Sequence, residues 1–148
     1  QELYQVDHCI NYRTNEGWKD TVKELTGGQG ADVIYDPVSG DIFEKSLRCV
    51  NWNGRILVVG FASGRIAAAQ SNLVLLKGCS IVGVFWGAFT VREPKVNQEN
   101  FNTLFQWYKE GTIKPHISRR FSLEDAAKSL TALINREVVG NAVVKIRE

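Results

Sequence analysis

Short apolar runs alternate with helically spaced stretches through most of the chain. The runs "ADVIYDPV" (31–38), "RILVVGF" (55–61) and "CSIVGVFW" (79–86) are apolar through their middles. Strands of a parallel sheet covered on both faces read this way. "HCINY" (8–12) is a shorter run ended by polar residues and predicts another strand. Pro37 stops the ladder of the run that contains it. Trp18, Val22 and Leu25 share one helical face, and Gly27–Gly28 close that helix. Phe43, Leu47 and Val50 share another, with Ser39 or Asp41 as N-cap. "NWNG" (51–54) reads as a turn. "AAAQSNLVLLKG" fits a short helix or an irregular segment. Phe101, Leu104, Phe105 and Tyr108 form the stripe of a longer helix with Gly111 at its C-cap. "ISRRFS" predicts a short strand with exposed charge. The helix after it opens on a capping-box-like pair, Ser122 and Asp125, with Leu123, Ala127, Leu130 and Ile134 as its apolar face. "NAVVKI" closes the sequence as a strand.

Up to Gly111 the rhythm is strand, helix, strand, helix, strand, crossover, strand, helix. That is a βαβ pattern, and parallel strands with right-handed crossovers follow from it. The final segment breaks the rhythm and reads as a piece of another layer or domain.

Composition narrows this little. With 148 residues the chain is long enough for one domain with a sizeable core. It is 44% hydrophobic and 23% charged, ordinary for a globular protein. A net charge of +2, with no Lys/Arg run beyond a pair, argues against nucleic acid as main partner. No apolar run approaches the roughly 18–20 residues of a bilayer span. The three cysteines, Cys9, Cys49 and Cys79, form no CxxC or CxxH unit. They point to neither a zinc site nor a disulfide framework, and fit thiols in a reducing compartment, cytoplasm or mitochondrial matrix. His8 and His116 lie far apart without a partner motif, so a structural role is the stronger reading. Methionine is absent and Gln1 comes first, so the natural start is expected elsewhere and the chain to be part of a longer protein.

Ligands of open parallel sheets sit beyond the carboxyl ends of the strands. Those ends are Tyr12–Thr14, Asp36–Gly40, Gly60–Gly64 and Trp86–Ala88. The string in "TGGQGAD" follows a helix and precedes a strand, so it is a helix C-cap rather than a phosphate loop. "GFASG" follows a strand but lacks the G-x-G-x-x-G spacing and fails the dinucleotide fingerprint. Its small residues still leave backbone groups open to a ligand. Asp36 suits a ligand hydroxyl, a cap or a turn equally. Phe85 and Trp86 suit ring stacking, with core or subunit interface the stronger reading.

Taken together, "GADVIYDPVSGDIFEKSLRCVNWNGRILVVGFASGRI", "NLVLLKGCSIVGVFWG" and "GTIKPHISRRFSLEDAAKSL" closely resemble the carboxyl-terminal part of the medium-chain dehydrogenase/reductase superfamily. The branch they resemble is that of the zeta-crystallin-like, NADPH-dependent quinone oxidoreductases. The resemblance covers essentially the whole chain in order. Ser39 stands where the family usually has glycine, and Ala67 where the branch often has proline.

The resemblance implies an α/β fold: residues 1–117 as strands three to six of a doubly wound Rossmann sheet, and 118–148 as a segment returning to a GroES-like catalytic domain. It implies hydride transfer from NADPH to a quinone or enone in the parent enzyme, with the fragment alone inactive. Tyr12 and Arg136 map to positions that help hold the adenosine 2′-phosphate, a task suited to a phenol and a guanidinium fork. Val38, Gly60, Phe61, Ala62 and Ser63 map to the nicotinamide end of the cofactor site, with Phe85, Trp86 and Gly87 on the same side. No residue maps to a catalytic role. The branch is zinc-free, and strand 79–86 pairs across a homodimer axis. The alternatives are a zinc-type alcohol dehydrogenase or enoyl reductase relative, and a non-catalytic dinucleotide-binding or dimerisation module. In the Rossmann order 3-2-1-4-5-6, strands one and two separate "HCINY" from "ADVIYDPV". Without them a gap of about 14 Å opens at ~4.8 Å per strand, leaving the edge of "ADVIYDPV" bare.

Overall fold

The computed structural model describes residues 4–147. The chain divides into two compact units, Gln1–Ala88 and Phe89–Glu148.

In the first unit, β1 (Ala31–Asp36), β2 (Val50–Val58) and β3 (Ser80–Gly83) form a parallel sheet in the order β1-β2-β3. The register aligns Ile34, Ile56 and Ile81 across the three strands. Three helices, α1 (Trp18–Leu25), α2 (Asp41–Ser46) and α3 (Ser71–Lys77), alternate with them. The core is built where α2 meets the sheet. Phe43 and Leu47 pack with Val50, Ile56 and Cys79, flanked by Ile34, Val58, Ala67, Leu73 and Val74. Leu47, Val50 and Ile56 lose nearly all contact with solvent. Each such side chain contributes about 1.5–3 kcal/mol on burial. Of the helical face expected from Phe43, Leu47 and Val50, only Phe43 lies within α2: Leu47 is its C-cap and Val50 opens β2, so the three meet in the core from a helix, its end and a strand.

Gly27 closes α1 as expected. Its amide donates to the Glu24 carbonyl and that of Gly28 to Lys23, the double bond of a Schellman motif. Both glycines have positive φ.

Four expectations change here. "HCINY" forms no strand, because a strand needs a ladder partner and none of the described strands pairs with it. "NWNG" is not a turn between elements but a bulge inside β2. Ala31 pairs with Val50 and Val33 with Arg55, so Asn51–Gly54 loop out opposite Asp32 alone. Asn53 takes φ 57 there, and the Asn51 amide donates to Asp32 Oδ1 at 2.7 Å. β2 ends at Val58 and β3 at Gly83, well before Phe61 and Trp86, since the apolar runs outlast the ladder. Neither Ser39 nor Asp41 caps α2. Gly40 occupies the N-cap with φ 60, and no side chain bonds the helix start.

The unit boundary falls within α4 (Trp86–Arg92). The second unit continues with α5 (Pro94–Lys109), β4 (Ile117–Ser122), α6 (Ala126–Ile134) and β5 (Asn141–Lys145). α5 ends at Gly111 as expected, in a Schellman motif in which Gly111 donates to Tyr108 and Thr112 to Trp107. β4 and β5 pair in parallel with α6 between them in sequence.

Two expectations fail in this unit. Asp125 is the N-cap of α6 but makes no side-chain cap bond, so the Ser122–Asp125 pair is not a capping box; Ser122 ends β4 instead. The stripe Leu123, Ala127, Leu130 and Ile134 faces solvent. The small residues Ser129 and Ala132 are the buried ones on this helix. A ribbon of two strands is narrow, and small side chains let the helix close onto it.

Candidate functional site

The carboxyl ends of β1 and β2 carry two loops, 36–40 and 59–68, and they are clasped together. Three physical causes build the clasp. First, Asp36 ends β1 with a buried side chain, 2% exposed. Its Oδ1 accepts hydrogen bonds from the Val38 and Ser39 amides, both at 2.9 Å, across Pro37. This is an Asx-type turn, and proline after the Asp pre-sets it. Second, the turn so formed offers backbone acceptors. The Asp36 carbonyl accepts from Val59 and Gly60, the Pro37 carbonyl from Ala62 at 3.0 Å, and the Val38 carbonyl from Ser63 at 2.9 Å. Third, side chains tie the rest. Ser39 Oγ accepts from the Ala67 amide at 3.2 Å, and Arg65 Nη1 donates to Glu44 Oε1 at 3.0 Å and Nη2 to Asp41 Oδ1.

Glycine eases the packing at two points of this clasp. A Cβ on Gly60 would stand 3.3 Å from the Pro37 carbonyl oxygen. A Cβ on Gly40 would meet Ser63 Oγ at 2.9 Å, and its φ of 60 disfavours any other residue. Ser39 also takes a positive φ, 63, uncommon for a residue with a side chain and held here by its buried neighbours.

The Arg65 guanidinium holds the Glu44 carboxyl below the usual carboxylate range, with the Ala68 amide bond second. The Glu44 bond in turn raises Arg65. These groups are exposed, so the ion pairs guide the loop more than they stabilise the fold.

The structure therefore brings Val38, Gly60, Ala62 and Ser63 together at one end of the sheet. The amides of Ala62 and Ser63 are used within the clasp. Phe61 projects from it half exposed, its carbonyl accepting from Gly64. Phe85 and Trp86 follow β3 at the same end and are exposed, Trp86 opening α4. Gly87 lies against the Phe85 ring, where a Cβ would stand at 2.9 Å. Tyr12 lies outside the strands and is exposed. It sits in a hydrogen-bonded turn where the Asn11 carbonyl accepts from Thr14 and Asn15, and Asn11 Oδ1 from Arg13.

Arg136 belongs to the second unit, after α6. Its amide donates to Leu133 and that of Glu137 to Ala132, so Arg136 occupies the left-handed position of a Schellman motif at φ 58. α1 and α5 put glycine at the same position. Sequence reasoning did not single out Ser39 Oγ or Arg65 as ties between loops, although Asp-Pro is a turn signal that points to the clasp.

Among the described residues no group of three His, Cys, Asp or Glu side chains is placed to hold a metal. Cys49 and Cys79 are packed in the interior, and burial pushes the Cys49 thiol up, away from the thiolate that ligation needs. The residues present do not fit a zinc centre. They do fit one face of a dinucleotide site: a small-residue loop at the carboxyl end of parallel strands, with glycines where the two loops approach each other closely.

A sequence profile described as zinc-binding dehydrogenase matches residues 4–144. The quinone oxidoreductase-like protein 2 homolog of Nematostella vectensis is 40% identical over 94% of this chain and 38% of its own length. Quinone oxidoreductase-like protein 2 of Rattus norvegicus is 37% identical over 93% of this chain and 39% of its own. The chain thus spans about two fifths of the length of these curated relatives. Among solved structures, a quinone oxidoreductase of Pseudomonas syringae pv. Tomato DC3000 superposes with a TM-score of 0.78 at 25% identity, over 90% of this chain and 41% of that one.

Proposed function

The chain belongs to the zinc-binding dehydrogenase family, on the quinone oxidoreductase branch of the medium-chain dehydrogenase/reductase superfamily, and on that premise we propose that it is part of an NADPH-dependent oxidoreductase acting on a quinone or enone. The observation that carries this is the clasped loop of Gly60–Ser63 at the carboxyl ends of β1 and β2, where parallel sheets hold dinucleotides. In this reading residues 1–117 are part of the dinucleotide-binding domain and 118–148 return to a catalytic domain. The 148-residue chain alone is then inactive.

The nicotinamide ring, when bound, supplies the hydride. The chain's own residues shape and orient its site. Val38, Gly60 and Ala62 offer a closely approachable backbone, and Phe61, Phe85 and Trp86 cover apolar surface and exclude water. On the family resemblance, Arg136 is assigned to the 2′-phosphate as a planar cation suited to a dianion, and Tyr12 separately as a phenol donor to the same group. The left-handed backbone of Arg136 supports this assignment. Arg136 is a backbone outlier where α1 and α5 use glycine, and such outliers cluster at functional positions. The outer edge of β3 is proposed as the pairing edge of a homodimer.

The test is oxidation of NADPH by the full-length protein with a panel of quinones and enones. Turnover is expected, with NADPH preferred to NADH, and Arg136→Ala is expected to weaken NADPH binding while leaving NADH binding unchanged. No turnover with any acceptor overturns the reading.

A further inference from the structure

The buried carboxyl of Asp36 lies at the root of the clasp and is not among the proposed cofactor contacts. It ends β1, is 2% exposed, and its Oδ2 has no hydrogen-bond partner. A buried polar oxygen in that state is costly, so its retention needs a reason. The reason lies on its other oxygen. Oδ1 takes two amides, Val38 and Ser39, and so sets the direction of the next two carbonyls, Pro37 and Val38. Those carbonyls receive the Ala62 and Ser63 amides of the neighbouring loop. The chain of bonds runs from one side chain, through one turn, into the backbone of the next.

We infer that Asp36 is a positioning residue: by bonding the Val38 and Ser39 amides it fixes the backbone of Phe61–Ser63 and so preorganises the nicotinamide face of the site. Its mechanical part stands on the hydrogen bonds alone; its link to the cofactor rests on the function proposed above. The side chain need not touch the cofactor. Without its bonds, Ser39 loses the hydrogen bond to its own amide that offsets its positive φ, and the turn relaxes toward a commoner conformation. Pro37 and Val38 then no longer present their carbonyls to the loop, and a ligand must order the loop as it binds. Glutamate is excluded by length, whereas asparagine keeps an acceptor at Oδ1.

The experiment is residue-resolved amide hydrogen exchange on the full chain, for wild type, Asp36→Ala and Asp36→Asn. In wild type the Ala62 and Ser63 amides are expected to be protected, and exchange at loop rates there overturns the inference without any variant. Asp36→Ala is expected to lose protection at Ala62, Ser63 and Ala67 while α1 and β4 keep theirs. Asp36→Asn is expected to retain it. Protection unchanged in Asp36→Ala, or lost equally throughout the first unit, overturns the positioning role. Where Asp36→Ala does not fold, the wild-type pattern and Asp36→Asn decide. In the full-length protein the NADPH dissociation constant is expected to rise about tenfold in Asp36→Ala, equivalent to the worth of about one hydrogen bond, and to stay near wild type in Asp36→Asn. An opened loop with unchanged NADPH affinity overturns the link to the cofactor. A wild-type protein that binds no NADPH overturns the proposed function while leaving the exchange result standing.

Discussion

The two units solve the same local problem with different cores. Each contains a parallel strand pair entered through a glycine. Gly30 precedes β1 and Gly140 precedes β5, both with positive φ. The residue after each donates to a carbonyl on the paired segment at 2.9 Å, Ala31 to Cys49 and Asn141 to His116. A Cβ on either glycine would meet that same carbonyl, at 2.4 and 2.6 Å. What differs is the filling. The first unit buries Phe43, Leu47, Val50 and Ile56, whereas among the described residues of the second the buried side chains are Ser129 and Ala132. The local device therefore does not create a core; a third strand and a helix with large side chains do.

The largest test of this contrast is truncation of one leucine in each unit. Leu47→Ala is expected to cost about 2–5 kcal/mol in urea unfolding, as a buried large-to-small change does. Leu130→Ala, 62% exposed, is expected to stay within about 0.5 kcal/mol. Equal losses would erase the difference between the cores.

Next come the matched glycines. Gly30→Ala and Gly140→Ala each combine strain with a carbonyl clash, for about 1–3 kcal/mol of strain alone. Both are expected to destabilise, and exchange should show the damage confined to β1–β2 in one case and β4–β5 in the other. Damage spreading from Gly140 into the first sheet would mean that the units are not separate.

A smaller effect is electrostatic. Glu44 is held low by Arg65 and then the Ala68 amide, and Glu124 by its own backbone amide and then the Ser122 hydroxyl. Each carboxyl therefore has a lower pKa folded than unfolded. Its contribution is present above the unfolded value and lost as pH falls through the folded one. Acid should weaken each unit slightly, and Glu44→Gln should flatten the acid limb of unfolding for the first unit only. An unchanged limb would show that the Arg65 bridge does not act in solution.

The smallest effect has the opposite sign. Arg136→Gly is expected to stabilise α6 by about 0.5–1 kcal/mol, because glycine tolerates the left-handed position. Loss of stability would mean that the arginine side chain holds the helix end.

Elements declared by their own side chains were legible in the sequence: α1 and α5 with their glycine stops, the apolar β1 and β3, and the start of α2 around Phe43, though not its end before Val50. Features that depend on a partner were not. "HCINY" has strand composition and no strand to bond. Asn51–Gly54 has turn composition, yet the ladder resumes beyond it on the same partner. Val59–Phe61 and Val84–Trp86 continue the apolar run past the strand ends, where only isolated bonds such as Val59 to Asp36 and Val84 to Val58 remain. On α6 the spacing located an apolar stripe without showing that small residues on another face would make the packing. At the candidate site, the loops were legible from the strand ends, but the clasp was not. It depends on which carbonyl meets which amide, and side-chain type says nothing of that.

The distribution of sulfur gives the first unit its own reporter. All three cysteines lie there and all are free, with Cys9 exposed and Cys49 and Cys79 buried. An alkylating mass tag should add once quickly at Cys9, then twice more only as often as the sheet opens. Because the second unit carries no thiol, its unfolding leaves the mass unchanged. The tagging rate thus reads the opening frequency of one half of the molecule against a silent background from the other.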